Sequence, residues 1–226
     1  MKTSRAQYTT EYVIVLGIAM TIIASALFYS LYFYTSYFSS STSNQLSTAA
    51  TQLVKAADYV SAQGINSKTL IAVTFPTLTV TSSFFCGQLV QIDSGHSSYI
   101  DRANVNISGL MPFNSGLYHA YVVYNGSMAD VGINLPLSLV TGTFSYSSGS
   151  ILYGINFLDR NGNSLPGVNF NISVYSGSGV YLASGTGTTS SSTYTGLISV
   201  PSGQSVYVIR IFPSTYQEFF STCVFA

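Results

Sequence analysis

From Tyr12 to Val54 the chain carries no charged residue. That run limits what can be built from it more than any other feature. Within it, Val13–Leu31 reads VIVLGIAMTIIASALFYSL, almost wholly apolar or small. About 20 such residues suffice to cross a bilayer as a helix. No proline interrupts the run, and the one glycine, Gly17, costs a helix only about 1 kcal/mol. An ordinary secretory signal places its cleavage site after the apolar core. Here the short basic segment, residues 1–6 with Lys2 and Arg5, comes first, and the polar stretch Gln7–Glu11 follows it. Cleavage after Ala6 would discard both basic residues and keep the apolar helix in the mature chain.

Glu11 sharpens this reading. A carboxylate at the edge of an apolar helix is costly in lipid and marks a function by default. In a chain starting at Gln7, it lies one turn along the same helix face. The helix dipole favours a carboxylate there, and it can meet an α-amine, its own or a neighbour's. In a stack of apolar helices such a pair sets the axial register, because a misplaced subunit buries both charges unpaired.

The run Arg5-Ala6-Gln7-x-x-x-Glu11-Tyr12 ahead of an apolar helix resembles the class III signal peptide of archaeal type IV pilin-like proteins. Ala6 stands where Gly is commoner, and Thr9-Thr10 where Ser and an aliphatic residue are usual. Ala56–Gly64, Phe75-Pro76 and the segment Pro112…Gly116-Leu117-Tyr118 are also similar to that family, so the resemblance covers roughly Lys2 to Asn134. Archaellins share the export route but differ just after the cleavage site. The resemblance implies a prepilin peptidase as processing partner, with Ala6 and Gln7 flanking the cut. It further implies Glu11 as an assembly residue, a membrane-held precursor, and a helical homopolymer at the cell surface used for adhesion or cell–cell contact. It implies no enzymatic activity and no cofactor.

Further along, Leu46, Ala50, Leu53, Ala57 and Val60 recur at spacings of four and three, a helical stripe. Gly64 suits its C-terminal cap. One helix over 7–63 is expected, with a weak point in the Ser/Thr-rich stretch Ser39–Asn44. Phe28–Phe38 is rich in aromatic residues and suits either a membrane interface or packing between subunit helices. Past Gly64 the pattern turns to short runs of period two. Thr69–Phe75, Leu78–Phe84, Gln88–Asp93, Asn104–Ser108, Leu117–Tyr124 and Val131–Leu135 read as strands, with Asn125-Gly126 as a hairpin turn. These form a head domain over 64–143.

The Ser/Gly-rich stretch Phe144–Ser150 reads as a linker between domains or as a surface loop within one larger domain. A second β-unit over 151–226 is expected, from strands at Ile151–Leu158, Val168–Tyr175, Val180–Ala183, Thr193–Val200 and Ser205–Phe212. Asp159…Asn161-Gly162…Leu165-Pro166-Gly167 and Pro201-Ser202-Gly203 resemble turns of the immunoglobulin-like modules of surface adhesins. The expected fold class is α+β: a long hydrophobic helix, an antiparallel β-domain and an immunoglobulin-like sandwich.

Charged residues make up 6% of the chain, 7 basic against 7 acidic, where soluble domains carry about 25%. With no basic stripe, the footprint of a nucleic-acid binder is missing. Cys86 and Cys223 stand in no C-x-x-C pair, which leaves a long-range disulfide or two buried thiols. Asn106, Asn125 and Asn171 head N-x-S triplets and are candidate glycosylation sites. Asp159, Asn161 and Asn163 have the spacing of a calcium loop, but Ser164 and Phe170 stand where it needs Gly and Glu, so a plain turn is expected. His96 and His119 are isolated, and neither a metal site nor a catalytic constellation stands out. Two rivals use the same helix differently: a membrane-anchored surface binding protein that never polymerises, and an anchored extracellular hydrolase.

Overall fold

The computed structural model describes residues 3–80, 82–133, 139–159, 161–190, 193–214 and 218–226, with side chains from Tyr12 onward except at 38, 39 and 139. One helix, α1 (Thr3–Gln63), precedes fourteen strands. The chain divides into two compact units, residues 1–41 and 42–226, and each is described by itself. In the first, α1 is apolar on every side: every described side chain from Tyr12 to Tyr37 is exposed. An 18-residue window here reaches a mean hydropathy of 2.2. This helix is long and apolar enough to cross a membrane.

In the second unit, the expected stripe of Leu46, Ala50, Leu53, Ala57 and Val60 is fully buried. α1 ends where Gly64 was expected to stop it, with the Gly64 amide donating to Ser61 O at 3.2 Å. The Ser67 hydroxyl donates to Gly64 O at 2.6 Å and also to Val60 O, satisfying carbonyls that a helix end leaves without partners. Asp58 accepts from the Asn104 amide at 2.7 Å and from its side chain at 2.8 Å, and Thr51 donates to Asp101 at 2.9 Å. These bonds pin the helix to the strands beside it.

The strands are β1 (Lys68–Phe75), β2 (Phe84–Cys86), β3 (Leu89–Asp93), β4 (Ser98–Arg102), β5 (Asn106–Pro112), β6 (Gly116–Tyr124) and β7 (Met128–Ile133). They continue with β8 (Leu139–Ser147), β9 (Ser150–Leu158), β10 (Asn169–Ser176), β11 (Tyr181–Thr188), β12 (Tyr194–Ser199), β13 (Val206–Pro213) and β14 (Glu218–Phe225). An eight-stranded sheet runs in the order β1-β6-β7-β5-β14-β13-β10-β11, and two three-stranded sheets run β12-β9-β8 and β2-β3-β4. β5 and β7 pair in parallel; the other described pairings are antiparallel.

Two hydrophobic cores share the large sheet. The first gathers the buried face of α1 with Val73, Val90, Ile107, Val122, Val131 and Phe219. The second gathers Ile151, Ile155, Phe157, Ile172, Ile209 and Phe220. Side chains alternate across a strand, so Phe219 and Phe220 on β14 point into different cores.

Three expectations change. The linker expected over 144–150 is a β-hairpin: Ser148 and Gly149, at φ 48° and 78°, turn β8 into β9, and Ser147 pairs with Ser150. Two successive positive φ values are what a tight type I′ hairpin turn requires. The expected boundary between 143 and 151 is also crossed by main-chain pairing, because β14 lies against β5. Finally, residues 78–80, 82 and 83 form no strand, and Phe84 opens β2. The Leu78 and Thr79 amides donate outward to Phe113 O and Asp93 O, and the Ser83 amide turns back to Thr79 O at 2.9 Å.

Candidate assembly surface and buried polar groups

Three hydroxyls in the front half of α1 bond carbonyls of the helix itself. Thr21 donates to Gly17 O and Ser25 to Thr21 O, each at 2.8 Å. Thr35 bonds the carbonyls of Leu31 and Tyr32 at 3.1 and 3.0 Å. These three hydroxyls are met within the helix. At its C-terminal side lies an aromatic band in which Tyr29 packs on Phe33 at 4.7 Å between ring centroids, with Tyr32 edge-on at 6.4 Å. Phe28 and Tyr37 are 76% and 78% exposed. The side chains of Ala6, Gln7 and Glu11 lie outside the described residues, although their backbone belongs to α1.

The remaining expected sites fall apart from one another. Cys86 on β2 and Cys223 on β14 form a disulfide with Cα atoms 4.9 Å apart. Asn106, Asn125 and Asn171 are all exposed. The Asn125 amide nitrogen donates to Asp130 at 2.8 Å. Its oxygen accepts from Ser127 N, Ser127 Oγ and Met128 N, forming the hairpin turn expected there. Asp159 accepts from the backbone amides of Asn161 and Asn163 at 2.8 and 2.9 Å, a side chain closing its own turn. His96 and His119 are exposed and far apart in the sequence. Among the described residues no three His, Cys, Asp or Glu side chains converge.

Three buried charged groups escaped the sequence reading. Arg210 is 1% exposed, and its guanidinium lies 4.4 Å from the Tyr175 ring centroid. Burial draws its pKa down, and Tyr175 opposes that. Burial raises the Asp130 carboxyl from 3.8 to about 6, against hydrogen bonds from Ser108 and Asn125, and raises Glu218 from 4.5 to about 7. A usable signal was present: each carboxylate is a lone acid within an apolar strand, in a chain with only 7 acids.

No family model matches this chain, and no curated protein matches it. Among solved structures, a DUF3823 family protein from Bacteroides ovatus ATCC 8483 aligns over 70% of this chain and 99% of its own. Its identity is 14% and its TM-score 0.35. At that TM-score the match assigns neither fold nor function.

The buried carboxyls give a pH prediction. Both hold protons more tightly in the folded chain than in the unfolded one, so between the two pKa values the native state binds more protons and stability falls as pH rises. For Glu218 that window runs from 4.5 to about 7, and for Asp130 from 3.8 to about 6. The melting temperature is expected to fall as pH is raised from about 5 to about 8. Glu218→Gln should flatten most of that slope and stabilise by on the order of 2–3 kcal/mol above pH 7. A pH-independent melting temperature in the parent chain would refute it.

Proposed function

We infer that the chain is the precursor of a structural subunit of a type IV pilus-like filament of the archaeal class III signal-peptide kind. The observation that carries this is the contrast along α1. Residues 12–37 are exposed and apolar on every side, whereas the stripe from Leu46 to Val60 is buried on one face against strands. A helix apolar all round needs apolar neighbours all round. Lipid supplies them before assembly, and sister helices supply them afterwards. The two surroundings are similarly apolar, so packing and polar pairing must choose between them. Glu11, meeting the α-amine at Gln7 of a neighbouring subunit, supplies that choice. A prepilin peptidase removes residues 1–6, and the β-rich unit forms the outer sheath at the cell surface.

The strand order supports an immunoglobulin-like reading of residues 139–226. Its first, second and fifth strands form one sheet, β8-β9-β12, while the others lie in the large sheet as β14-β13-β10-β11. The Tyr207 hydroxyl bonds Pro201 O, six residues upstream, at 2.7 Å, as in the tyrosine corner of such domains. Asn106, Asn125 and Asn171, all exposed, are suited to glycans that would keep a nearly uncharged surface soluble.

N-terminal sequencing of the native protein should return Gln7; Met1, or a start beyond the apolar run, would contradict the processing step. Glu11→Ala should leave cleavage intact and reduce filaments in electron micrographs of shed surface material by at least tenfold. Normal filaments from that variant would count against the register role. The aromatic band favours one other use, a membrane anchor holding single copies, in which the rings sit at the lipid headgroups. Shed material without fibres would select it.

A further inference from the structure

The fold holds the three N-x-S triplets in different ways. Asn106-Ile107-Ser108 opens β5, and its second and third residues are buried. The Ile107 amide donates to Gly87 O at 2.7 Å. The Ser108 hydroxyl lies 2.6 Å from Asp130 Oδ1 and 3.3 Å from Met128 Sδ. Asn171-Ile172-Ser173 lies within β10, which is paired on both sides. Asn171 is opposite Thr186 of β11 and Phe212 of β13, and Ile172 is fully buried. Asn125-Gly126-Ser127 instead makes the turn from β6 to β7, and all three residues are exposed.

In that turn the amide of the first residue already meets the hydroxyl of the third. Asn125 Oδ1 accepts from Ser127 N at 3.0 Å and from Ser127 Oγ at 2.9 Å. Asn125 Nδ2 carries two hydrogens and gives one to Asp130 at 2.8 Å. Glycan transfer to asparagine uses this nitrogen. It attacks the anomeric carbon of a lipid-linked sugar phosphate, so that a C–N bond forms. The bond from that carbon to the phosphate oxygen breaks, its electron pair leaves with the phosphate, and the amide proton passes to a base of the transferase. The transferase has to hold amide and hydroxyl together, so the triplet must come away from its neighbours. Exposed turns open at almost no cost, whereas central strands open only when most of the fold does. Neither Ser108 nor Asn171 can therefore be engaged without dismantling the large sheet.

We propose that Asn125 receives a glycan on the folded chain, and that Asn106 and Asn171 stay bare. The choice of Asn125 rests on the reading of the β-rich unit as a glycosylated surface domain. It does not require the chain to polymerise, because all nine residues lie in the second unit.

The test is mass spectrometry of the full chain isolated from its own cells, intact and as peptides. One glycan is expected, with occupancy at Asn125 at least about tenfold above that at Asn106 or Asn171. Asn125→Gln should lose the added mass, and Asn171→Gln should keep it. Ser127→Ala should lose it too, while leaving Asn125 in place and bonded to Asp130; its melting temperature checks that the turn still folds. Comparable occupancy at Asn106 or Asn171 would overturn the choice of Asn125 and leave a glycosylated surface domain standing. Added mass that survives both Asn125→Gln and Ser127→Ala would do the same. An unmodified parent chain would overturn the glycan altogether, without touching the filament, which is judged by the fibres themselves.

Discussion

Replacing Gly109 by alanine is expected to prevent the β-rich unit from folding, or to lower its melting temperature by more than about 10 °C. Gly109 lies on β5, at the middle of the eight-stranded sheet, between β7 and β14. Its φ of +146° is one that L side chains rarely adopt. A Cβ at this position would stand 2.2 Å from Val131 O, 2.6 Å from Val131 N and 2.7 Å from Val131 Cβ. Two of those atoms are backbone, so no side-chain rotation relieves the clash. β5 cannot retreat either, because its other edge is paired with Ser221 of β14. Strain and lost pairing together should cost more than about 3 kcal/mol. Gly177→Ala is the control: the nearest atom to its added Cβ is Val206 Cβ at 3.6 Å, an ordinary contact. Equal melting temperatures for the two variants would rule out the steric account.

Breaking the Cys86–Cys223 disulfide is the second large effect. The bond joins positions 137 residues apart and ties the small β2-β3-β4 sheet to the strand shared by both cores. In the chain-entropy account, closing a loop of that size restrains the unfolded state by about 5 kcal/mol. Cys86→Ser/Cys223→Ser, or full reduction confirmed by mass, should therefore lower the melting temperature by roughly 10–20 °C. The native arrangement need not be lost, because Phe85 N still donates to Ser221 Oγ at 3.3 Å, and Phe85 and Phe219 remain in one core. A melting temperature unmoved by verified loss of the bond would show that the unfolded chain is already compact there.

The helix was legible because its signals are local. An uncharged run, a stripe at spacings of four and three, and a terminal glycine each act within a few residues. β1, β3, β6, β10 and β12 were legible for the same reason, through alternation on one face, and β9 and β13 as short apolar runs between turns. Four strands were not, and the first of them, β2, is only three residues long. β4 reads Ser98-Tyr-Ile-Asp-Arg102 and buries no face fully. β8 is rich in Ser, Thr and Gly, the composition of a linker, and becomes a strand only because β9 pairs with it residue by residue. β14 buries almost every position, since each of its faces meets a different core, and a strand covered on both sides loses the period of two.

The position of β14 in the large sheet also bears on timing. It closes both cores, and contacts such as Phe85 to Ser221 span 136 residues. Helices form in about a microsecond, whereas sheets closed by such distant partners take milliseconds to seconds. A newly made copy therefore has its greasy segment ready long before its head has set. During that delay the exposed apolar helix and the half-finished strands are both open to clumping.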